Sequence, residues 1–456
     1  MVEVRRGRAF VMASSLAGVF LITVSLMGVF NPIAVTQETL NQLTEDEKRE
    51  GWKPLFNGYD LSGWVVMGNK DGFYVKDGAI RSEGGKGGYW LRSEQQYGDF
   101  ILKVEWRVSP KGNSGVFIRC PEKGNPWETG IEVQITNEPR DELHCTGSLY
   151  GLVPVNPRPD ESADKWHQFE IHCAGKRIVV LADGVKCVDA HMDKVPALKN
   201  KPMNGYIGLQ DSHAPAPSYI EFRNIKLKDL NAILGDLLRL ELPDNVPPPG
   251  FTALFNGKDL SGWKVDDEGR KHWVVKDGVI DYDGKWRDLW TEKEFEDFIL
   301  IVDWRWSGKP TEVERPIILP NGDYARTPDG KTATQRVLDA GDSGIYLRGS
   351  SKSQINIWCW PCGSGEIYGY RTDPKMPPEV RAKATPKLNA DNPIGEWNRF
   401  IIIMRGERVT VFLNNLEVIS DAPLPGVPKK GPIALQHHGS PIQFKNIFIK
   451  ELPKEG

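Results

Sequence analysis

The residues best suited to acid/base chemistry alternate with apolar residues in the segment 131–135. Glu132 and Gln134 take the even positions of this segment, and apolar residues take the odd ones. Because successive side chains of a strand point to opposite faces, the pattern predicts a strand with one polar face. Glu105 and Arg119 likewise alternate with apolar residues in two other predicted strands and lie on their non-core side. We expect these four side chains to share one outer sheet surface, which becomes a binding groove if the sheet is concave. Alternatively, these four residues face solvent from the outer surface of an ordinary sheet. The strand alternation by itself favours this second interpretation.

Further candidates follow the predicted strands. His144 and Tyr150 lie in one loop, and Gln210 and His213 follow a strand ending. A histidine at a strand end near acidic residues is a candidate acid or base, and a structural or solvated histidine is the alternative. A tyrosine next to glycine indicates either a placed side chain or a tyrosine corner at the edge of the fold.

The whole pattern occurs twice, which indicates two copies of one domain. The matched pairs are LFNGYDLSGW at 55 and LFNGKDLSGW at 254, VKDGAI at 75 and VKDGVI at 275, GDFILKVEWR at 98 and EDFILIVDWR at 296, NSGVFIR at 113 and DSGIYLR at 342, GYIGLQ at 205 and GPIALQ at 431, and FRNIKLKDL at 222 and FKNIFIKEL at 444. We predict a first domain at 51–230, a linker at 231–250 that is proline-rich and semi-rigid at 243–250, and a second domain at 251–453. We expect few obligatory contacts between the two domains. Many short alternating strands with tight turns predict an all-β sandwich for each copy.

Charge and composition exclude one class of partner. The chain has 58 Lys and Arg against 61 Asp and Glu, a formal net charge of −3. No basic run occurs after the N-terminal segment, so nothing in the sequence predicts nucleic-acid binding.

Residues 1–35 differ from the rest of the chain. Arginines at 5, 6 and 8 precede an uncharged, mostly apolar run at 9–30. This arrangement predicts export, through a cleaved signal peptide or a retained membrane anchor. We expect a periplasmic or extracellular protein that contacts the membrane only through this segment.

The six cysteines fit an oxidising compartment but establish no pairing. Cys359 and Cys362 form a C-x-x-C, for which we expect a local disulfide or two free thiols. Neither the pattern required for a zinc site nor a calcium loop is present, so no metal or cofactor is predicted.

The repeated motifs, together with the xEVQI strand and the GxxYG loop, resemble the 3-keto-disaccharide hydrolase family. The resemblance covers nearly all of both copies. It implies a concanavalin-like jelly roll in each copy and cleavage of glycosides already oxidised to a ketone at sugar C3.

The two copies differ at the candidate site. Glu132 and Gln134 align with Gln354 and Asn356, so the second copy has two amides where the first has an acid and an amide. We therefore favour the first copy as the catalytic one. The second copy instead has a long insertion at 307–341. Its candidate binding residues are Arg348, Gln354, Asn356, Glu366, Tyr368, Gln436 and His437.

On a 3-keto-glycoside, a base would remove the C2 hydrogen while an acid protonates the leaving oxygen. We expect Glu132 as the base, His144 or Tyr150 as the proton donor, and Arg119 with Gln134 as the oxygen-binding groups. A two-carboxylate glycosidase using Glu105 and Glu132 is a variant of this hypothesis.

Two other functions stay open at this stage. A non-catalytic tandem carbohydrate-binding or adhesion module would gain avidity from its two copies. A structural cell-surface protein would bind no sugar at all.

Overall fold

The structure is a computed structural model, and it describes residues 40–241 and 243–453. The predicted export segment at 1–35 lies outside these residues. Within the described part of the chain, no helix is long and apolar enough to cross a membrane.

The first repeat is built almost entirely from strands, as the sequence predicts. Its elements are α1 (Glu45–Arg49), β1 (Trp52–Pro54), β2 (Trp64–Val66), β3 (Tyr74–Lys76), β4 (Ala79–Glu83), β5 (Trp90–Tyr97), β6 (Phe100–Val108), β7 (Asn113–Cys120), α2 (Pro126–Thr129), β8 (Ile131–Thr136), β9 (His167–Ala174), β10 (Arg177–Ala182), β11 (Val185–His191), β12 (Gly205–Gln210), β13 (Tyr219–Asp229) and α3 (Leu230–Leu234). Eight strands form one sheet in the order β11-β10-β9-β6-β13-β4-β3, with β1 on β13, and five form the other in the order β2-β5-β12-β7-β8.

The second repeat has the same architecture with one addition. Its elements are β14 (Thr252–Ala253), β15 (Trp263–Lys264), β16 (Trp273–Lys276), β17 (Val279–Tyr282), β18 (Leu289–Phe295), β19 (Phe298–Trp306), β20 (Thr311–Pro316), β21 (Thr334–Asp339), β22 (Asp342–Leu347), β23 (Ser350–Trp358), α4 (Tyr368–Arg371), α5 (Pro378–Lys383), β24 (Asn398–Arg405), β25 (Arg408–Leu413), β26 (Leu416–Pro423), β27 (Gly431–Leu435) and β28 (Ile442–Glu451). The sheets run β16-β17-β28-β19-β24-β25-β26, with β14 on β28, and β15-β18-β27-β22-β23. The predicted insertion forms the separate hairpin β20-β21.

Each repeat is a sandwich because its strands carry apolar residues on alternate positions. In β6, Leu102, Val104 and Trp106 are fully buried between the sheets, and the residues between them face outward. The predicted turn at 174–176 joins β9 to β10, and the D-G turn at 183–184 joins β10 to β11. The prediction of two tandem all-β sandwiches is thus confirmed.

The two repeats pack against each other through their eight-stranded sheets. One apolar cluster joins Trp52 and Ile101 of the first repeat to Ile299, Ile401 and Phe412 of the second. The described residues also belong to a single compact unit. We expected few contacts between the repeats because of the proline-rich linker, and this expectation is wrong.

The predicted linker takes part in this interface. Leu230, Leu234 and Leu238 are buried in the same apolar cluster. Asn245 exchanges hydrogen bonds with Asn446 of the second repeat, just as Asn41 does with Asn224 in the first. The segment therefore anchors to both sandwiches.

A buried ion pair lies beside the apolar interface. Lys228 of the first repeat approaches Glu417 of the second at 2.5 Å, and Lys387 approaches the same carboxylate at 3.1 Å. Burial acts to raise the pKa of Glu417, but the two lysines outweigh it and lower the pKa to about 2. The carboxylate therefore stays ionised, and its charge is compensated across the interface.

Candidate functional site

The first outer face is the surface of the sheet β2-β5-β12-β7-β8 that points away from the sandwich core. Strand pairing arranges its residues in rows that cross the sheet. One row contains Arg92, Gly208, Phe117 and Glu132, and the next contains Trp90, Gln210, Gly115 and Gln134. The outward placement of Glu132 and Gln134 agrees with the alternation seen in the sequence.

Glu132 is outward-facing but not solvated, since only 3% of it is exposed. A side chain on Gly115 would come within 2.5 Å of its Oε1, so the carboxyl group lies over the glycine. No described residue in 40–241 or 243–453 makes a hydrogen bond or ion pair with this carboxyl. Burial raises its pKa to about 8, which Arg140 opposes only from a distance. The group is therefore mostly protonated at neutral pH.

The amides beside Glu132 are held in place. Gln134 Nε2 donates to Asn113 Oδ1 at 3.1 Å, and the Ile135 N–H donates to Gln134 Oε1. Gln210 Oε1 is buried and has no hydrogen-bond partner in the described part of the chain. The face thus offers one unused acceptor next to a buried carboxyl group.

Aromatic rings cover the rest of this face. Trp90 and Phe117 meet edge to face at 5.8 Å, and with Cys120 they form a small apolar cluster separate from the sandwich core. Tyr206 packs on Arg92, whose guanidinium lies 4.2 Å from the ring centroid. Of these rings, Phe117 is the direct cross-strand neighbour of Glu132.

Tyr150 and His144 lie on the loop whose residues 147–150 pair with the outer edge of β8. The Tyr150 N–H donates to the Glu132 carbonyl oxygen at 2.9 Å, so the two residues stand opposite each other. His144 meets the Tyr150 ring edge at 5.1 Å, and its Nδ1 is 2.7 Å from Asp141 Oδ1. The contact with Asp141 leaves Nε2 of His144 available for proton transfer.

His213 is exposed on the loop after β12. Its Nδ1 is 3.9 Å from Asp211 Oδ1, too far for a hydrogen bond. Burial raises the pKa of Asp211, while the Tyr89 N–H bonds its other oxygen. The His213 side chain therefore borders the first outer face without a hydrogen-bond partner among the described residues.

Glu105 lies elsewhere, so the expected cluster of four residues is wrong in part. It is on β6 of the eight-stranded sheet, where its carboxylate bonds Arg223 at 2.7 Å and Asn224 at 2.8 Å. The outward-facing residues of the two sheets lie on opposite sides of the sandwich. Glu105 and Glu132 therefore cannot form the carboxylate pair of an ordinary glycosidase.

Arg119 is also turned away from the first outer face. A bulge in β7 gives it a φ of 52°, which swings the side chain to the end of the sandwich. There it is fully buried, bonding Asp99 Oδ1 at 3.0 Å and the Gly175 carbonyl oxygen at 3.0 Å. Arg348 has the same bulge, with a φ of 51°, and pairs with Asp297 at 2.7 Å. We interpret both arginines as structural ion pairs.

The second outer face is the matching surface of the sheet β15-β18-β27-β22-β23. Gln354 takes the place of Glu132 and lies over Gly344. Its Nε2 donates to Gln436 Oε1 at 2.8 Å and to Asn356 Oδ1 at 2.9 Å. The predicted amides do come together, but they bond one another.

This second face is open where the first is covered. A pocket of 580 Å³ is lined by Asp288, Trp290, Tyr346, Gln436 and His437, among others. In the strand register Asp288 stands where the first repeat has Trp90. The His437 N–H donates to Asp288 Oδ1 at 2.8 Å, and the His437 ring contacts the Tyr282 hydroxyl.

The loop of the second repeat is arranged differently from that of the first. Glu366 is fully buried and forms an ion pair with Arg371. Arg371 also contacts the Gly322 carbonyl oxygen and the Tyr324 hydroxyl, both in the insertion. Tyr368 stays 44% exposed. Glu366 is thus tied to the insertion rather than presented to a ligand.

Only one cluster of possible metal ligands appears among the described residues, formed by Asp160, His167 and Asp183. Both ring nitrogens of His167 are already engaged, with Asp183 at 2.7 Å and with the Ser162 carbonyl oxygen at 2.9 Å. Asp160 pairs with Lys165 at 2.6 Å. These donors have protein partners, and we assign no ion to them. Cys359, Cys362 and the other four cysteines are free thiols.

Several residues of the two outer faces were not anticipated. Trp90 and Tyr206 on the first face, and Asp288 and Trp290 on the second, lie in strands whose parity could have placed them there. That these aromatic rings cover an outer face depends on their neighbours in space, which the sequence alone does not show.

The chain belongs to the 3-keto-alpha-glucoside-1,2-lyase-like domain family, whose model matches residues 51–228 and again 250–450. The resemblance read from the motifs is confirmed, in two tandem copies. A 3-keto-disaccharide hydrolase of Bacteroides thetaiotaomicron is 25% identical over 239 residues, 40% of this chain and 79% of that protein.

Two solved structures are also similar. A candidate glycosyl hydrolase of Parabacteroides distasonis is 25% identical, with a TM-score of 0.37, over 42% of this chain and 99% of that one. A carbohydrate-binding module of Bacillus subtilis is 15% identical, with a TM-score of 0.23, over 39% and 94% of the two chains.

Proposed function

We propose that this protein is an enzyme that cleaves glycosidic bonds of 3-keto-glycosides at the first outer face. The observation that carries the proposal is Glu132, a buried carboxyl group with no hydrogen-bond or ion-pair partner among the described residues and a pKa raised to about 8. Groups with such perturbed pKa values cluster at functional sites. The family of the chain and the name of its Bacteroides relative support a sugar substrate.

The raised pKa reverses the role that we expected for Glu132. A carboxyl group that is protonated at neutral pH is suited to donate a proton, as the general acid. His144, whose Nδ1 is 2.7 Å from Asp141, is then the candidate base through Nε2. Tyr150, opposite Glu132 and against the His144 ring, is placed to position the sugar between them.

The reaction proceeds in two stages. His144 takes the C2 proton, the C1–O bond breaks, and Glu132 protonates the leaving oxygen, which gives an enone conjugated with the C3 ketone. The Glu132 carboxylate then takes a proton from water as its oxygen adds to C1. His144 returns a proton to C2, so the net reaction is hydrolysis and both residues regain their starting states.

The second repeat supports a neutral form of Glu132. There Gln354 donates an amide hydrogen to Gln436 Oε1, and the corresponding Gln210 Oε1 has no partner in the described chain. A protonated Glu132 has a hydroxyl that can make the equivalent bond. This bond would hold the acid in place until a substrate oxygen replaces Gln210 as the acceptor.

We also propose that the protein acts outside the cytoplasm. The arginine-flanked apolar run at 9–30 supports this proposal. Fractionation of cells that express the full chain would test it, since a cytosolic protein of unchanged mass contradicts it.

The function is tested with a p-nitrophenyl 3-keto-glucoside and its unoxidised counterpart. We expect release of nitrophenol from the ketone only, and in D2O we expect deuterium at C2 of the sugar product. Equal cleavage of both substrates without deuterium at C2 would indicate an ordinary glycosidase. Reversible binding without cleavage would favour the non-catalytic carbohydrate-binding module instead.

A further inference from the structure

The second repeat contains a large cavity beside its insertion hairpin, distinct from the pocket on its outer face. The cavity has a volume of 750 Å³ and lies at one end of the sandwich, beside the insertion hairpin. We call it the tryptophan cavity, after the four residues that form much of its wall: Trp304, Trp306, Trp358 and Trp360. Its size is within the roughly 300–1,000 Å³ that small-molecule sites occupy.

We propose that the tryptophan cavity is a separate binding site for neutral pyranose sugars. Indole rings present flat apolar surfaces on which the C–H faces of a sugar ring can stack. Trp358 and Trp360 lie parallel to each other with centroids 4.1 Å apart, so they form one rigid platform. The half-buried Trp360 provides the outer ring of this platform.

Polar groups suited to sugar hydroxyls border the same space. Asp391 and Asn398 line the cavity, and the Asp391 carboxylate is held by the Ser364 hydroxyl at 2.6 Å. The Nε1–H of Trp304, which also lines the cavity, is buried without a hydrogen-bond partner in the described chain, as is that of its counterpart Trp106 in the first repeat. A buried unpaired donor is costly, and a hydroxyl oxygen of a ligand would satisfy it. No lysine or arginine lines the cavity, so an anionic ligand is disfavoured.

Comparison with the first repeat shows that the cavity is specific to the second. Trp106 corresponds to Trp304, but His167 stacks on it at 4.6 Å and fills the space. In the second repeat the shorter Asn398 stands opposite Trp304. The insertion then extends the wall with Leu338, which is 56% exposed. The substitutions and the insertion therefore act together to build one site.

The test is calorimetric titration of the full chain with methyl β-glucopyranoside and with cellobiose, neither of which carries a ketone. We expect millimolar binding that Trp360→Ala weakens at least tenfold. Leu338→Glu, at the exposed mouth, should weaken it severalfold and cannot disturb the core. Trp397→Ala is the matched control, because Trp397 is a half-buried tryptophan of the same repeat outside this cavity.

Binding that survives both cavity variants, or is lost equally in Trp397→Ala, would overturn the proposal. Absence of sugar binding at about 50 mM would also overturn it, as would binding of indole in place of the sugars. Turnover of 3-keto-glycosides by Trp360→Ala should be unchanged. The result is therefore separate from the test of the first outer face.

Discussion

The two outer faces have the same strands and the same row pattern, yet they differ in charge and in access. The first has Glu132 buried over a glycine, on a face that also carries the rings of Trp90 and Phe117. The second has Gln354 over a glycine, in a bonded amide network beside an open pocket. Covering a carboxyl group raises its pKa, whereas an amide in the same place has no proton to titrate. One scaffold can thus separate acid chemistry from polar binding through a few side chains.

The sharpest way to break this comparison is Glu132→Gln, which makes the first face resemble the second. Because the buried carboxyl is already neutral, the amide should leave the thermal midpoint nearly unchanged. Turnover of the 3-keto-glycoside should fall by roughly two to four orders of magnitude, the usual worth of a general acid. The reciprocal Gln354→Glu should create no comparable activity, and Glu105→Gln is the matched control. Normal turnover in Glu132→Gln would place the chemistry elsewhere, with His437 the next residue to test.

Arg119→Met and Arg348→Met test whether the two repeats are alike where we expect them to be. Each removes a buried guanidinium from a carboxylate and from backbone carbonyl groups, so unfolding free energy should fall by about 3 kcal/mol. Arg223→Met, which breaks the more exposed pair with Glu105, should cost no more than about 1 kcal/mol. Denaturant unfolding measures all three. A stable, inactive Arg119→Met would show instead that Arg119 acts on the substrate.

The pH dependence sharpens the assignment of Glu132 as the acid. The rate constant kcat/KM should fall tenfold per pH unit above the pKa of about 8. The native state also binds more protons than the unfolded state between the ordinary carboxyl pKa and pH 8, so this group's contribution makes stability decrease across that window as pH rises. Glu132→Gln should remove both effects. A rate that rises through pH 8 would mean that Glu132 works as the base.

Much of the architecture was predictable from local patterns. The full-length repeat, the alternation around Glu132 and the D-G turn at 183–184 each reflect a short-range rule of strand geometry. The contact between the repeats was missed because Ile101, Ile299 and Phe412 alternate like any outward residues, and nothing local shows that they meet. The proline-rich part of the linker suggested that the two repeats are independent. Leu230, Leu234 and Leu238, which precede it, are however buried between the repeats.

The sequence by itself determined the class of fold, the duplication, the family and the outward placement of Glu132 and Gln134, because these follow from periodicity and motif order. Tertiary structure alone decided which polar residues share a surface. The alternation predicts that Arg119, Glu105 and Glu132 all point outward. A bulge turns Arg119 away from Glu132, and Glu105 lies on the other sheet of the sandwich. Tertiary structure also decided the protonation of Glu132, because the pKa of a carboxyl group depends on how deeply the fold buries it.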